Sequence, residues 1–414
     1  MKSSSLITPW RLKWYSVCVL LGIFSALVIV LLSGAGPKIL SGRLGGDFLP
    51  FYAAGRFVAS FGFNELYDIS QQLESQKDLF PDFKGVLPFP YPPFVALACI
   101  PLSFFSYRIA YMLFLFVNIS AFLVGFVCLK KIVRGFDKFL LPVFTLSLTF
   151  YPFLKATLNG QLSAIIFMLF ALTWRLTIDC RQYWAGFFMG LLLFKPQFAI
   201  PLIGVFILSG RFKIASSAIV TACLVIAVSL FFTGIQPYEQ WYHFLKWFVP
   251  ADANVNGHNA VSWIGFLDAV FGTENSIIFM IGYVCCFATV LFISYVWVVG
   301  GTKSDLNAQM GLAAVSFVLI PPHVMFYDAG LIVLTYAVII DKIHGRQIEL
   351  ICLVWLIGMT QIFADRIGFS PLFFLVVFTF FLSLVHLAAP AMGNRKIISV
   401  QQMNFEDTRY ALRR

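Results

Sequence analysis

Long apolar runs separated by short polar connectors dominate this chain. They fall near 14–33, 107–129, 138–153, 161–178, 183–194, 197–209, 213–233, 277–299, 308–320, 324–340, 348–363 and 371–388. Many approach the ~20 apolar residues a helix needs to cross a bilayer. Taken as single crossings, they predict an all-α polytopic integral membrane protein of about twelve transmembrane helices, forming one membrane-embedded domain over 1–414. The first run exceeds the h-region of a cleaved signal peptide and is expected to stay as a helix. Two runs, 183–194 and 197–209, are short, and their fusion into one helix would reverse the direction of the later crossings. The stretch "YPPFVALACIPLSFF" (91–105) is apolar but interrupted by prolines at 92, 93 and 101. It is expected as a broken interfacial or re-entrant piece, which membranes tolerate where protein covers it.

The charges orient this threading. "KKIVRGFDK" (130–138), "RLTIDCR" (175–181), "GRFK" (210–213), "GGTKSD" (300–305), "DKIHGR" (341–346) and the tail from Asn394 all fall on one side. Lys and Arg are retained in cytoplasmic loops, so both termini are expected inside. Two long loops, 34–106 and 234–276, then face the exterior. The first contains an amphipathic segment over 48–60 and the second an aromatic one, "IQPYEQWYHFLKWFVP" (235–250). Both predict exterior interfacial helices, since Trp and Tyr favour the headgroup level.

Composition narrows the function. Of 414 residues 60% are hydrophobic and 12% charged, against about a quarter charged in soluble domains. The net charge of +10 is spread over short loop clusters, none long enough to follow a phosphate backbone, which excludes nucleic acid as a partner. The eight cysteines form no C-x-x-C pair and lie mostly in apolar runs, as packing residues do. The five histidines show no metal-ligand spacing.

Four polar signals gather at the exterior end of this threading: Asp47 in "GGDFLPFYAAGR" (45–56), "NGQ" (159–161), "FKPQ" (194–197) and "PPHVMFYD" (321–328). Ionisable groups at membrane depth cost several kcal/mol and mark functional sites by default. Plainer readings stand beside this one. Asp47 fits an N-cap for a helix beginning at Phe48, Lys195 a snorkelling side chain, and His323 a loop hydrogen bond. Asn159 and Gln161 taken singly fit structural roles, and the diproline of "PYPPF" (90–94), beside Tyr91, a rigid entry into the membrane.

"GGDFLPFYAAG", "FPYPPFVALACIPLS", "NGQLSAIIFMLFAL" and "AGFFMGLLLFKPQFAIPL", in that order, resemble glycosyltransferase family 87. These are integral-membrane enzymes of the GT-C type that include polyprenol-phosphate-mannose-dependent α-mannosyltransferases. The likeness runs from about residue 40 to 215, and more loosely through "NGHNAVSWIG" (256–265) and "PPHVMFYDAGLIVL" (321–334). It implies a GT-C-like fold with an exterior active site, a polyprenol-phosphate sugar donor, and a glycolipid or saccharide acceptor, among membrane lipids. Asp47 matches the carboxylate that serves as catalytic base. Lys195 and His323 match residues near the donor phosphate, and Tyr52, Tyr91, Asn159, Gln161, Gln197, Asn259 and Ser262 complete the expected substrate-binding set. The chemistry is coherent, because sugar transfer needs a base for the acceptor hydroxyl and positive charge where the leaving phosphate becomes negative. The expected course is inversion. The late motif departs from the family's pattern, reading Asn259-Ala260-Val261-Ser262, which bears on the acceptor.

With no Asp-x-Asp or paired carboxylate at the site, no cofactor and no metal are expected. Asp328 is expected to pair with His323 and stays outside the site, and Glu239 is a second exterior acid. The competing function is a transporter or flippase for a lipid-linked saccharide, since broken helices with inward charges occur in transporters. Against it, the chain has no internal repeat and its polar signals sit at one surface. A polymerase-like enzyme would use exterior arginines, which are few.

Overall fold

The computed structural model describes residues 8–32, 45–133, 140–272, 276–343 and 345–393. Among these residues the chain is all-α, with one isolated antiparallel bridge between Ala260 and Met325. The helices, in chain order, are α1 (Pro9–Leu32), α2 (Leu49–Phe61), α3 (Ile69–Leu79), α4 (Pro93–Cys99), α5 (Tyr107–Ile132), α6 (Leu140–Thr149) and α7 (Tyr151–Asn159). Next come α8 (Ser163–Ile178), α9 (Gln182–Leu191), α10 (Pro196–Leu208), α11 (Phe212–Thr233), α12 (Gln236–Asn256) and α13 (Trp263–Phe271). The last six are α14 (Ser276–Gly300), α15 (Leu306–Leu319), α16 (Ile332–Lys342), α17 (Gln347–Met359), α18 (Ala364–Ile367) and α19 (Leu372–Ala391).

Five stretches are long and apolar enough to cross a bilayer: α5, α11, α14, α17 continued through α18, and α19. The pair α6–α7, bent by 58° at Phe150, makes a sixth. Phe150 is extended (φ −61°, ψ 123°) and Pro152 opens α7, so the bend arises from backbone that proline cannot continue as helix. Several of the other expected crossings fold as shorter apolar helices, α8, α9, α10 and α15. Straight full-length spans therefore number fewer than the expected twelve among the described residues. The tail from Asn394, His344 and residues 134–138 of the first basic loop lie outside those residues.

The two short runs at 183–209 form two helices, not one. Gly186 approaches the backbone of Ile214 and Ala218, and Gly190, one turn on, approaches Ala218 and Thr221. The contacts advance together along both chains, so α9 and α11 run in the same direction and α10 returns between them. Small residues spaced by four permit such backbone contact. Lys195 sits at the turn of this helical hairpin. The 91–105 stretch is the seven-residue α4 followed by a five-residue 3-10 turn, Ile100–Phe104, too short to cross.

Helices α15 and α16 form the centre. Every residue from Ala308 to Leu319 and from Ile332 to Ile340 is buried, as expected of a helix apolar all round. The basic helix ends meet at one end of the bundle. Arg175 Nη1 donates to Lys131 O (2.9 Å), Arg211 Nη2 to Gln309 Oε1 (2.9 Å), and Lys342 Nζ to Asp305 Oδ2 (3.2 Å). The start of α5, the 160–163 turn, the Lys195 turn and the Pro321–Asp328 loop lie at the opposite ends of the same helices.

A second apolar cluster caps that opposite end. Phe48, Phe51, Tyr52, Phe57, Phe89 and Tyr111 pack with Phe244 and Phe248 of α12. The sequence suggests that the aromatics of 48–60 enter lipid. Instead α4, the start of α5 and α12 cover them, and only Phe61 at the end of α2 is strongly exposed. Gln72 and Gln76 of α3 hold the extended 87–91 segment here: Phe89 N donates to Gln72 Oε1 and Leu87 N to Gln76 Oε1, both at 2.9 Å.

Candidate active site

Asp47 lies on a three-residue 3-10 turn, Gly46–Phe48, that runs into α2. No side chain caps either helix start, so Asp47 is not an N-cap. Its Oδ2 accepts a hydrogen bond from Asn159 Nδ2 (3.2 Å), the last residue of α7. The local backbone enforces this meeting. Gly160, at φ +83°, closes α7 with bonds from Gly160 N to Thr157 O and from Gln161 N to Ala156 O, the pattern in which a left-handed residue ends a helix. Gly45 N donates to Leu158 O (2.8 Å), Tyr111 Oη to the same carbonyl (2.7 Å), and Tyr107 Oη to Gly45 O (2.8 Å). Phe48 is fully buried beneath Asp47, worth roughly 1.5–3 kcal/mol relative to exposure.

Asp47 is only partly accessible. Burial raises its carboxyl pKa above the ordinary value, hydrogen bonds with Gln161 and Asn159 and the nearby Lys155 ammonium pull it down, and Asp252 raises it. Gln161 in turn accepts from Tyr91 Oη (3.3 Å). Asn159, Gln161 and Tyr91 thus reach Asp47 directly or through one partner.

Lys195 is buried and pairs with Asp328, its Nζ lying 2.7 and 2.9 Å from the two carboxylate oxygens. Ser163 Oγ donates to the same carboxylate (3.1 Å), and the ammonium sits 5.1 Å from the centre of the Tyr327 ring. Asp328, expected from sequence as a partner for His323, pairs with Lys195 instead. His323 Nε2 lies 3.4 Å from Asp252 Oδ2 of α12. Burial lowers the His323 pKa, Asp252 opposes this, Lys195 adds to the lowering and Asp328 also opposes it. The fields of Asp328, Asp47 and Asp252 all reach Tyr327, and those of Asp328 and Asp47 reach Tyr91. Asp47, the Lys195–Asp328 pair and the His323–Asp252 pair therefore lie in one neighbourhood, with Tyr91 and Tyr327 among them.

Other expected residues lie elsewhere or are occupied. Tyr52 Oη donates to Phe105 O (2.8 Å) and its ring packs against Phe48 and Tyr107. Ser262 caps α13, accepting from Gly265 N, and donates to Pro322 O (3.0 Å), which fastens the His323 loop. Asn259 bonds His258 (2.7 Å) and Gln361 (3.1 Å), in a second network that His258 extends to Asp365 (2.7 Å). Gln197 is half-buried in the first turn of α10, and Glu239 is exposed in the first turn of α12. Asp328, Asp252 and Lys155 are absent from the set expected from sequence. Asp252 lies just past the aromatic 235–250 segment, and Lys155 just past the 138–153 apolar run, where no pattern marked either.

Among the described residues, no three His, Cys, Asp or Glu side chains group to hold a metal. The carboxylates nearest Asp47 are committed, Asp328 to Lys195 and Asp252 to His323. A small apolar cleft of about 50 Å³ opens beside the α6–α7 bend, lined by Val143, Phe150, Val333, Ala337, Val354 and Trp355.

A helical membrane protein that brings a raised-pKa carboxylate, a lysine and a histidine together at one end of its bundle has the parts of a membrane-embedded group-transfer enzyme. The family model of glycosyltransferase family 87 matches residues 89–322, more than half of the chain, and the chain belongs to that family. Neither the curated proteins nor the solved structures give a significant match. The protein is a membrane glycosyltransferase.

Proposed function

We propose that the protein moves a sugar, with mannose the first to test, from a polyprenol-phosphate donor to a lipid-linked or saccharide acceptor on the exterior face. The observation that carries this reading is the meeting of Asp47 with Asn159 beside the Lys195–Asp328 and His323–Asp252 pairs. Asp47 takes the proton of the acceptor hydroxyl as that oxygen attacks the anomeric carbon. The bond from that carbon to the phosphate oxygen breaks, its electron pair leaves with the phosphate, and single displacement inverts the centre. His323 and the Lys195–Asp328 pair line the side of the departing phosphate, whose growing negative charge calls for a cation.

The basic residues at the far end of the bundle support a cytoplasmic position for that end, and so an exterior site with both termini inside. The commitment of the carboxylates to Lys195 and His323 supports metal-independent chemistry, so chelation leaves transfer unchanged. The test uses purified protein in liposomes with radiolabelled polyprenol-phosphate sugars and an acceptor lipid extract, wild type beside Asp47→Asn. Transfer by the wild type alone supports the reading. Transfer by both removes Asp47 as base, and movement of a lipid-linked saccharide across the bilayer without transfer turns the reading toward a flippase.

A further inference from the structure

The charges of the site leave one cation over. Lys195 has given two N–H bonds to the carboxylate of Asp328, and that pair carries no net charge toward a ligand. His323 faces Asp252. Lys155 makes no salt bridge among the described residues and is half-buried. It stands one helical turn before Asn159 on the face of α7 that meets Asp47, because residues four apart share a helix face. One turn further back on that face, the Tyr151 ring lies 5.6 Å from Phe326, two residues before Asp328. Lys155 thus shares the α7 face that carries Tyr151 to the Phe326–Asp328 turn and Asn159 to Asp47. It is near enough for its charge to act on Asp47, yet beyond salt-bridge distance of it.

We propose that Lys155 is the cation that receives the phosphate of the donor and holds it as it leaves. The inference rests on the polyprenol-phosphate reading above and deepens it. The leaving group changes from a phosphodiester with one negative charge to a monoester carrying up to two, and the added charge falls on the oxygen freed from the sugar. An ammonium with no carboxylate partner strengthens its attraction as that charge develops, whereas one already neutralised by Asp328 responds less.

The experiment measures binding of a short-chain polyprenyl phosphate to purified protein in detergent, with the wild type, Lys155→Gln, Lys155→Met and Lys155→Arg compared. Each neutral variant is expected to bind at least tenfold more weakly, with an unchanged melting temperature, and Lys155→Arg to keep most of the affinity. Loss of the Lys155 charge also makes Asp47 easier to protonate, which would favour an anionic ligand, so a drop in affinity cannot come from Asp47. Lys155 makes no ion pair, so both neutral variants leave no orphaned charge. Binding by both neutral variants at wild-type strength overturns the proposal. A loss that Lys155→Arg fails to recover also overturns it, because the role claimed is that of a charge. If the wild type itself binds no polyprenyl phosphate, the donor assignment falls first, and this inference with it.

Discussion

Lys195 and Asp328, one at the turn of a helical hairpin and the other on the 3-10 turn before α16, hold each other by two hydrogen bonds of 2.7 and 2.9 Å. Both side chains are almost wholly buried. The pair fastens the α9–α10 hairpin to the centre of the bundle, beside the candidate active site.

Breaking this pair on one side should cost more than removing it. Asp328→Asn leaves the ammonium buried without its counter-charge, a loss of about 3–5 kcal/mol. The double variant Lys195→Met/Asp328→Leu should recover most of the lost melting temperature and none of the lost transfer. Thermal unfolding in detergent, read beside initial rates, separates the two effects.

Asp47→Asn keeps the shape of the turn and the contact with Asn159 while removing the base. Transfer should fall by at least ~100-fold, the lower range for loss of a positioned acid or base. Donor binding, measured separately, should hold or tighten, because the anionic phosphate no longer meets the Asp47 charge.

The raised pKa of Asp47 sets the acid limb of the pH profile. The carboxylate must be ionised to act, so activity is lost as pH falls through its pKa. Asn159 hydrogen-bonds the ionised form and holds that pKa down. Asn159→Ala should therefore move the acid limb of kcat/KM to higher pH, whereas a merely structural role for Asn159 would lower the rate equally at all pH values.

Gly160 is the hinge of the Asp47 contact. Its φ of +83° disfavours any side chain, and an added Cβ would lie 2.5 Å from Phe48 Cβ. Gly160→Ala should cost about 1–2 kcal/mol for the left-handed backbone alone. Because Phe48 is next to Asp47, the clash should lower kcat by more than the drop in melting temperature suggests.

The helices were legible because apolar runs of the right length leave few alternatives, and the order of polar motifs pointed to Asp47, Lys195 and His323. The partners of these groups were not legible. Asp328 looked like a partner for His323 because the two are close in sequence. The fold turns Asp328 onto the start of α16, toward the hairpin that carries Lys195, and Asp252 arrives at His323 from the last turns of α12. Tyr52 stood beside Asp47 in the chain, yet a helix separates neighbours by direction, and its hydroxyl went to Phe105. The aromatics of α2 showed the same periodicity whether they met lipid or protein, so their burial under α12 depended on packing that no local pattern records.

Gly186 and Gly190 bring the backbones of α9 and α11 together with no side-chain layer between them. Such a seam cannot compress or slide, so it fixes the register of α9, and the residues from Gly190 to Lys195 act as a ruler. One residue added there would advance the chain by about 1.5 Å and turn it by about 100° if helical, carrying the ammonium away from Asp328. The largely exposed 81–85 connector after α3, on the same side of the protein, has no such measuring role. Length variation should be accepted there and rejected between Gly190 and Lys195.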